Sequence, residues 1–304
     1  MLKKSNNLYG YGLMTLGLIG FSINGPVAKL ILLNGVQSAD LSAFRVEGAF
    51  LLLLIPALIT SRQEMKFTRK EFLPLASYGF FGVAMTQFLY FVAIRRIEVG
   101  IALIIEYTAP ILVALYIRFV LKKPVSTRVW FSLILAILGL SLITQVWTGS
   151  KLDPFGVLCA FGAAIALAIY YIGGQPLTLK RNPIALTTLS MGVGAIFWAI
   201  AKPWWTLPWG ILGNQISLPR GLGNISLSYL IIYVIVFGTI APFWLYFMAF
   251  KYLDSKRASI YGLLEPVGAS LVALFLLNES LVSIQIVGGL LVLAGVIYAE
   301  TAKQ

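Results

Sequence analysis

Long apolar runs separated by short polar links extend along the whole chain. A helix needs about 20 mostly apolar residues to cross the hydrocarbon core of a bilayer, and ten runs approach that length. They lie near residues 8–31, 39–60, 72–94, 97–120, 127–147, 154–176, 183–202, 227–250, 256–277 and 281–299. Several links are very short, whereas the long connection at 203–226 is rich in Trp, Pro and Gly. The pattern predicts an all-α integral membrane protein with ten transmembrane helices.

Composition agrees with this interpretation. Of the 304 residues, 59% are hydrophobic and 11% are charged, whereas an ordinary soluble domain carries about 25% charged residues. The first apolar run follows Lys3 and Lys4, as in a signal peptide. That run is longer than the roughly 7–15 apolar residues of such a segment. We therefore interpret it as a first spanning helix that is retained.

The net charge of +12 does not indicate nucleic-acid binding, because the basic residues fall in short loops between apolar runs. Sixteen of the 23 lysines and arginines lie on the side of the N-terminus, six lie on the other side, and Arg45 lies within a span. Positively charged loops stay in the cytoplasm. The distribution predicts a multi-pass protein of the plasma or bacterial inner membrane with both termini cytoplasmic.

Two residue types that carry much enzyme chemistry are scarce. The chain has no histidine, which excludes imidazole acid–base catalysis and imidazole metal ligands. Its single cysteine, Cys159, cannot form an intrachain disulfide or a cysteine cluster. No phosphate-binding glycine loop is present, so ATP would not drive the protein directly. The sequence predicts neither an enzyme nor a protein with a cofactor or a metal.

An internal repeat is visible at a shift of 156 residues. Residues 88–110 align without a gap on residues 244–266. The identical pairs are Leu89 and Leu245, Tyr90 and Tyr246, Phe91 and Phe247, Ala93 and Ala249, Ala102 and Ala258, Ile104 and Ile260, and Pro110 and Pro266. The same shift pairs Gly82 with Gly238 and Gly139 with Gly295. We predict two repeats, at residues 1–148 and 149–304.

Each predicted repeat contains five helices, an odd number, so the second must enter the membrane in the opposite direction to the first. The loop charges agree, because the loop after the fourth span is basic and its counterpart after the ninth holds only Glu279. Inverted repeats around a central cavity are a structural basis of alternating access. The chain therefore has the predicted organisation of a secondary transporter, and one copy supplies a complete pathway.

Residues 263–296 resemble the C-terminal repeat signature of EamA-type proteins of the drug/metabolite transporter superfamily. The matching elements are the Glu265-Pro266 pair, the Leu-x-Glu ending at Glu279, and the Gln-x-x-Gly-Gly beginning at Gln285. Residues 91–115 are similar to the N-terminal segment, although Lys-Lys-Pro at 122–124 replaces its Leu-x-Glu. The resemblance implies ten helices in two inverted repeats and export of amino acids or related metabolites. Residues 106–110 are most similar to the branch that contains threonine/homoserine exporters.

Two glutamates fall deep within predicted spans, where a charge is costly. Glu106 lies about ten residues, or roughly 15 Å, into the fourth span, and Glu265 lies at a similar depth in the ninth. Together they can bind a substrate ammonium group or exchange a proton. Alternatively, each serves the backbone groups that Pro110 or Pro266 leaves unpaired.

Arg45 and Glu47 lie in the first third of the second span. Two residues apart on a helix, they point about 200° apart and cannot pair with each other. Arg45 can hold a substrate carboxylate, pair with Glu106, or extend to the near membrane interface.

Further candidates are polar, aromatic or helix-bending residues at similar depth. Gly25 and Pro26 are expected to kink the first helix and act as a gate, as are Pro110 and Pro266 in their helices. The candidates for the substrate or proton pathway are Asn24, Gln87, Tyr90, Tyr107, Trp244 and Tyr246. For the aromatic residues, simple packing is the alternative.

The sequence thus predicts a secondary transporter that exports amino acids or related small metabolites, with protons as candidate coupling ions. Its predicted partners are a small-molecule substrate and membrane lipid, and not nucleic acid. The alternative is a carrier or facilitator for another solute class, such as a nucleobase, a sugar or a cationic compound.

Overall fold

The computed structural model describes residues 7–97, 99–144, 153–218, 221, 223–277 and 283–300, and these residues form mainly helices. In chain order the α helices are α1 Asn7–Leu33, α2 Ser38–Thr60, α3 Arg69–Ile94, α4 Val99–Glu106, α5 Ala109–Val120, α6 Thr127–Thr144, α7 Pro154–Thr178, α8 Pro183–Ala201, α9 Leu227–Ala249, α10 Ser255–Gly262, α11 Glu265–Leu276 and α12 Ser283–Glu300. Parts of α3, α5 and α9 are π-helical.

Seven helical segments among the described residues are long and apolar enough to cross a membrane. Six are α1, α2, α3, α7, α8 and α9, and the seventh is Arg257–Leu276, which includes most of α10 and all of α11. Shorter apolar segments lie within the other three predicted spans, at Ala109–Val120, Thr127–Leu142 and Ile286–Gly295. The chain is therefore a helical, multi-pass membrane protein.

The fourth and ninth predicted spans are each interrupted by a short turn, beside the prolines that were expected to bend them. A two-residue turn, Tyr107 and Thr108, separates α4 from α5, and Leu263 and Leu264 separate α10 from α11. Pro110 and Pro266 are the second residues of α5 and α11. A proline has no N–H to donate to the carbonyl four residues earlier, which weakens the helix at that turn. The two interruptions lie 156 residues apart.

The helices pack in corresponding pairs. Helix α1 packs on α9 and α11, while α7 packs on α3, α4 and α5. Helix α2 packs on α8, and α6 packs on α12. Replacing each helix of one half by its counterpart in the other half leaves this set of contacts nearly unchanged.

Helices α6 and α12 approach most closely at two glycines that the repeat alignment pairs. A Cβ atom added at Gly139 would lie 2.5 Å from the carbonyl oxygen of Gly288. One added at Gly295 would lie 3.0 Å from the carbonyl oxygen of Ser132. The shift of 156 residues converts the first contact into the second. Each helix therefore presents a glycine to the backbone of the other, which allows the close approach.

This crossing gives a testable expectation for Gly139→Ala. The added methyl group meets backbone atoms, which cannot rotate away, so the two helices must separate. Overpacking of this kind costs about 1–3 kcal/mol of unfolding free energy. Thermal unfolding of the purified protein in detergent measures the effect.

The matched control is Gly289→Ala in α12. A Cβ atom at Gly289 would lie 3.8 Å from Cγ1 of Val267, an ordinary van der Waals contact. Both substitutions gain the same helix propensity, about 1 kcal/mol. The difference between them therefore isolates the clash, and equal melting temperatures would contradict the described crossing.

The long connection between α8 and α9 is folded. It contains two short 3₁₀ helices, Trp204–Thr206 and Trp209–Gly213, followed by strands β1 Gln215–Ser217 and β2 Asn224–Ser226. The strands pair antiparallel, a local feature of a chain that is otherwise helical. Strands of three residues are too short to leave a clear pattern of alternating hydrophobicity in the sequence.

The folded connection covers one end of the helix bundle. The rings of Trp209 and Phe44 meet edge to face at 5.1 Å, and Leu207 is buried in the main core. Lys202 Nζ lies 2.8 Å from Asp40 Oδ1, which joins the end of α8 to the start of α2. This end of the bundle is therefore closed by packed chain.

A second ion pair lies at the same end. Arg96 Nη1 lies 3.0 Å from Asp153 Oδ2, and the guanidinium stands 4.8 Å from the centre of the Phe155 ring. The Asp153 carboxylate also accepts from the backbone N–H of Gly156, and these bonds hold the pKa of Asp153 below its usual value. The pair connects the two halves of the chain.

At the opposite end, Arg181 joins two loops. Its guanidinium lies 3.1 Å from Glu71 Oε2 and donates to the carbonyl oxygens of Glu64 and Lys66. The backbone N–H of Asn182 donates to the Glu64 carboxylate. The loops before α3 and before α8 are thereby held together, so both ends of the bundle carry contacts between the halves.

Candidate functional site

Two small adjoining cavities lie inside the bundle, where α4 and α5 meet and where α10 and α11 meet. The first is lined by Phe21, Asn24, Gly25, Gln87, Tyr90, Leu103, Glu106, Tyr107, Glu265 and Ala269. The second is lined by Phe21, Gly82, Thr86, Gln87, Glu106, Tyr107, Leu167, Tyr170, Tyr171, Phe243, Tyr246 and Glu265. Both glutamates line both cavities, so the two spaces form one candidate site.

The helix interruptions place the glutamates. Glu106 is the last residue of α4 and is buried, and Glu265 is the first residue of α11. A carboxylate in the first turn of a helix interacts favourably with the unpaired N–H groups there. Interrupted helices supply such polar ends at membrane depth, where an unbroken helix would present only side chains.

A tyrosine joins the two interruptions. Tyr107, in the turn after Glu106, lines both cavities together with Glu265, and its hydroxyl lies near the Glu265 carboxylate. Glu106 and Glu265 are close enough to repel each other, and Tyr171 of α7 faces both. Acidic and phenolic groups from both halves of the chain therefore meet at one place.

Arg45 of α2 lies beside this site and is 1% exposed. Its Nε donates to Thr239 Oγ1, its Nη1 donates to Gln87 Oε1, and its Nη2 donates to the carbonyl oxygen of Gly238 at 2.8 Å. It also interacts electrostatically with Glu265. The alternative in which Arg45 extends to the membrane interface is wrong, because the polar partners of the guanidinium lie inside the bundle.

Other predicted site residues separate into two groups. The structure brings Asn24, Gly25, Gln87, Tyr90, Tyr107 and Tyr246 to the walls of the cavities, together with both glutamates. It does not bring Glu47 or Trp244 there: Glu47 is half-buried in α2, and Trp244 is 38% exposed. Their position on the helix accounts for this, since each points away from the side that faces the cavities.

The predicted helix-bending residues differ in whether their helix is interrupted. Helix α1 continues through Pro26 without a break, and Gly25 faces the first cavity. Pro110 and Pro266 lie directly after the interruptions and beside the glutamates. Their proposed part in gating stays a prediction.

Sequence reasoning did not select Thr239 or Phe21 for the site. Thr239 follows Gly238, a glycine that the repeat alignment pairs with Gly82, and that pairing was the available signal. Phe21 lines both cavities, but an aromatic residue in an apolar helix gives no signal of its own. Tyr170 and Tyr171 also reach the second cavity.

Each cavity has a volume of about 30 Å³. A cavity of this size holds one or two water molecules, whereas pockets for small-molecule ligands measure about 300–1,000 Å³. A metabolite can therefore enter only if the surrounding helices move apart. The structure shows the site closed.

Polar groups enclosed at the interruptions of apolar, membrane-spanning helices are characteristic of membrane transporters. Residues 8–145 and 154–300 match the EamA-like transporter family, and the chain belongs to this family. The predicted resemblance is thereby confirmed.

Known relatives agree with this assignment. The chain is 29% identical over 230 residues to an uncharacterized transporter of Archaeoglobus fulgidus, a match that covers 76% of each chain. It is 28% identical over 223 residues to the threonine/homoserine exporter RhtA of Escherichia coli, covering 73% of this chain and 69% of the exporter. A protein crystal structure shares the fold, with a TM-score of 0.70 at 15% identity, over 94% of this chain and 96% of the other.

Proposed function

We propose that the protein is a secondary transporter that exports amino acids or related small metabolites across the cell membrane by alternating access. The observation that carries this proposal is the enclosed site between two interrupted helices, with Glu106 on one and Glu265 on the other. A site at such a position can exchange its access between the two sides of a membrane.

The proposed architecture is ten transmembrane helices in two inverted repeats, residues 1–148 and 149–304. Three observations support it. The interruptions recur at a shift of 156 residues, the helix contacts correspond between halves, and the Gly139 and Gly295 contacts are reciprocal. The excess of lysine and arginine on the N-terminal side supports both termini in the cytoplasm. One chain would then form the pathway without a second copy.

Alternating access requires that the site can be closed from both sides. On the side of the N-terminus, an aromatic cluster of Tyr78, Tyr170, Phe243, Phe247 and Phe250 packs beneath the second cavity, with ring centres 5.4–6.3 Å apart for its contacting pairs. On the other side, the folded connection and the Lys202–Asp40 pair cover the bundle. Separation of either set of contacts would open the site toward that side.

The named exporters among the relatives support amino acids as substrates, since RhtA is a threonine/homoserine exporter. A carrier for a nucleobase, a sugar or a cationic compound is the second candidate. It is favoured by the aromatic side chains of the second cavity, which can stack on a ring or a cation.

Exchange in proteoliposomes tests the proposal. Vesicles with purified protein are loaded with unlabelled L-threonine or L-homoserine, and entry of the labelled compound is measured. A carrier gives saturable entry that the internal compound accelerates several-fold, because the loaded site reorients faster than the empty one. Entry that does not saturate and is not accelerated would indicate a pore. If only internal nucleobases or sugars accelerate entry, the substrate is one of those compounds and not an amino acid.

A further inference from the structure

Arg45, the buried cation next to the site, is the first candidate partner for a substrate's carboxylate. A guanidinium has five N–H donors on three nitrogens, and all three nitrogens of Arg45 donate to Thr239, Gln87 or the carbonyl oxygen of Gly238. Arg45 is also absent from the walls of both cavities. Arg45 therefore acts as a structural cation beside the site, and a substrate held in these two cavities does not contact it.

No other cation replaces it. Among the described residues, neither cavity has a lysine or an arginine in its walls. Within the part of the chain that the structure describes, Arg45 is the cation that acts electrostatically on Glu265. A substrate carboxylate entering the site would therefore meet two carboxyl groups and no free positive charge.

Three buried polar atoms of the walls lack a hydrogen-bond partner. They are the side-chain oxygen of Asn24, which is an acceptor, and the hydroxyls of Tyr170 and Tyr246, which can accept or donate. Buried polar atoms are rarely left unpaired, because losing water without a replacement costs free energy. These atoms belong to residues that line the cavities, so an occupant of the site can supply the missing partner.

The charges of the site also favour a cationic group of the substrate over a carboxylate. Two carboxylates in one enclosed space repel each other unless a cation or a proton is present. Arg45 interacts with Glu265 and can balance one negative charge, which leaves Glu106 without a positive partner among the described residues. A protonated amine brings one positive charge and several donors, and the aromatic rings of Phe21 and Tyr246 suit its desolvated face.

We infer that the site binds its substrate through a protonated primary amino group and does not bind the substrate's carboxylate. This inference rests on the proposed transport function and narrows its substrate class to compounds with a primary amine. Amino acids and the corresponding amines without a carboxylate are both included. Glu106 and Glu265 bind the ammonium group, and Asn24 and Tyr246 complete its hydrogen bonds.

Competition by matched analogues tests this inference. L-threonine, isopropanolamine (threonine without its carboxylate) and N-acetyl-L-threonine (threonine without its basic amine) are added to the exchange assay. The same series is made for L-homoserine, with propanolamine as the amine. We expect each amine to compete within about tenfold of its amino acid, and each acetylated compound to compete at least tenfold less well, the ratio for one lost charge-assisted hydrogen bond.

Variants show whether ligand binding depends on Glu106 and Glu265. Glu106→Gln and Glu265→Gln should weaken binding of both amino acid and amine roughly tenfold or more, measured as thermal stabilisation of the purified protein by the ligand. Glu47→Gln is the matched control, because Glu47 is half-buried in the neighbouring α2 and lines neither cavity. That variant should bind both ligands as the unmodified protein does.

The outcomes distinguish a failure of this inference from a failure of the proposed function. Exchange of threonine that acetyl-threonine inhibits but isopropanolamine does not would overturn the inference and leave amino-acid export intact. Binding of isopropanolamine without any exchange of amino acids would support the inference and replace the exported class. If neither amino acids nor amines bind, both the inference and the amino-acid proposal fail.

Discussion

Replacement of Arg45 by methionine will lower the free energy of unfolding by about 3–5 kcal/mol and stop transport. Methionine fills much of the same volume, but it has no donor for Gln87, Thr239 or the carbonyl oxygen of Gly238. These groups would be left buried with unmet hydrogen bonds, and Glu265 would lose the cation near it. Transport stops because α2, α3 and α9 no longer share the residue that holds them beside the site.

The size of this effect follows from removing one partner only. Replacing a whole buried ionic network by apolar residues is often neutral, whereas removing a single member leaves the others uncompensated. Arg45→Lys retains the charge but presents one nitrogen where three are used, so it should recover only part of the lost stability.

The measurement is thermal unfolding in detergent, followed by the exchange assay at a temperature where each variant is folded. Arg96→Met is the matched control. Its side chain is 47% exposed and pairs with Asp153, and such surface pairs contribute only about 0–1 kcal/mol. If Arg45→Met unfolds at the same temperature as Arg96→Met, the described network does not stabilise the protein.

Much of the fold can be predicted from the sequence because the bilayer leaves few alternatives. Apolar runs of sufficient length must be helical there, since an unpaired backbone polar group in hydrocarbon is too costly. The positions of α1, α2, α3, α7, α8 and α9 follow from this rule alone. The short hairpin β1–β2 lies outside any apolar run, and the rule does not apply to it.

The site could be predicted in part for a related reason. Glu106 and Glu265 stand out because a charge within an apolar run needs an explanation. The partners of Arg45 could not be predicted, because Gln87 and Thr239 are 42 and 194 residues away and neither is unusual in its own helix. Glu47 shows where the reasoning from buried charges fails. The depth of a charged residue in a span does not reveal whether its side chain faces the site.

The helix interruption beside Glu106 shows a different limit. Hydropathy averaged over a span does not register the two-residue turn at Tyr107 and Thr108, because every residue near it is compatible with a membrane helix. Pro110 was the local sign of the interruption. The interruption matters for function, because it places the carboxylate of Glu106 at a helix end in the closed site.

Replacement of Glu106 by glutamine will remove the effect of a proton gradient on transport. The carboxyl group can bind and release a proton, whereas the amide of similar shape cannot. The ionisable groups around it are Glu265, Tyr107, Tyr171, Tyr246 and, through Glu265, Arg45. Of these, Glu265 lies near the Tyr107 hydroxyl and interacts with Arg45, so it has a compensating cation that Glu106 lacks among the described residues.

The direction of the effect follows from export. If a proton and a substrate amine alternate on Glu106, protons entering from an acidic outer side displace the substrate and then leave inward, so the gradient accelerates efflux. In proteoliposomes loaded with L-threonine, efflux with an acidic exterior is compared with efflux at equal pH. The unmodified protein and Glu47→Gln should show a ratio several-fold above one, and Glu106→Gln a ratio of about one. Each ratio compares one variant with itself, so weaker substrate binding alone does not lower the ratio. Full retention of gradient-driven efflux in Glu106→Gln would show that this carboxyl group does not carry the proton.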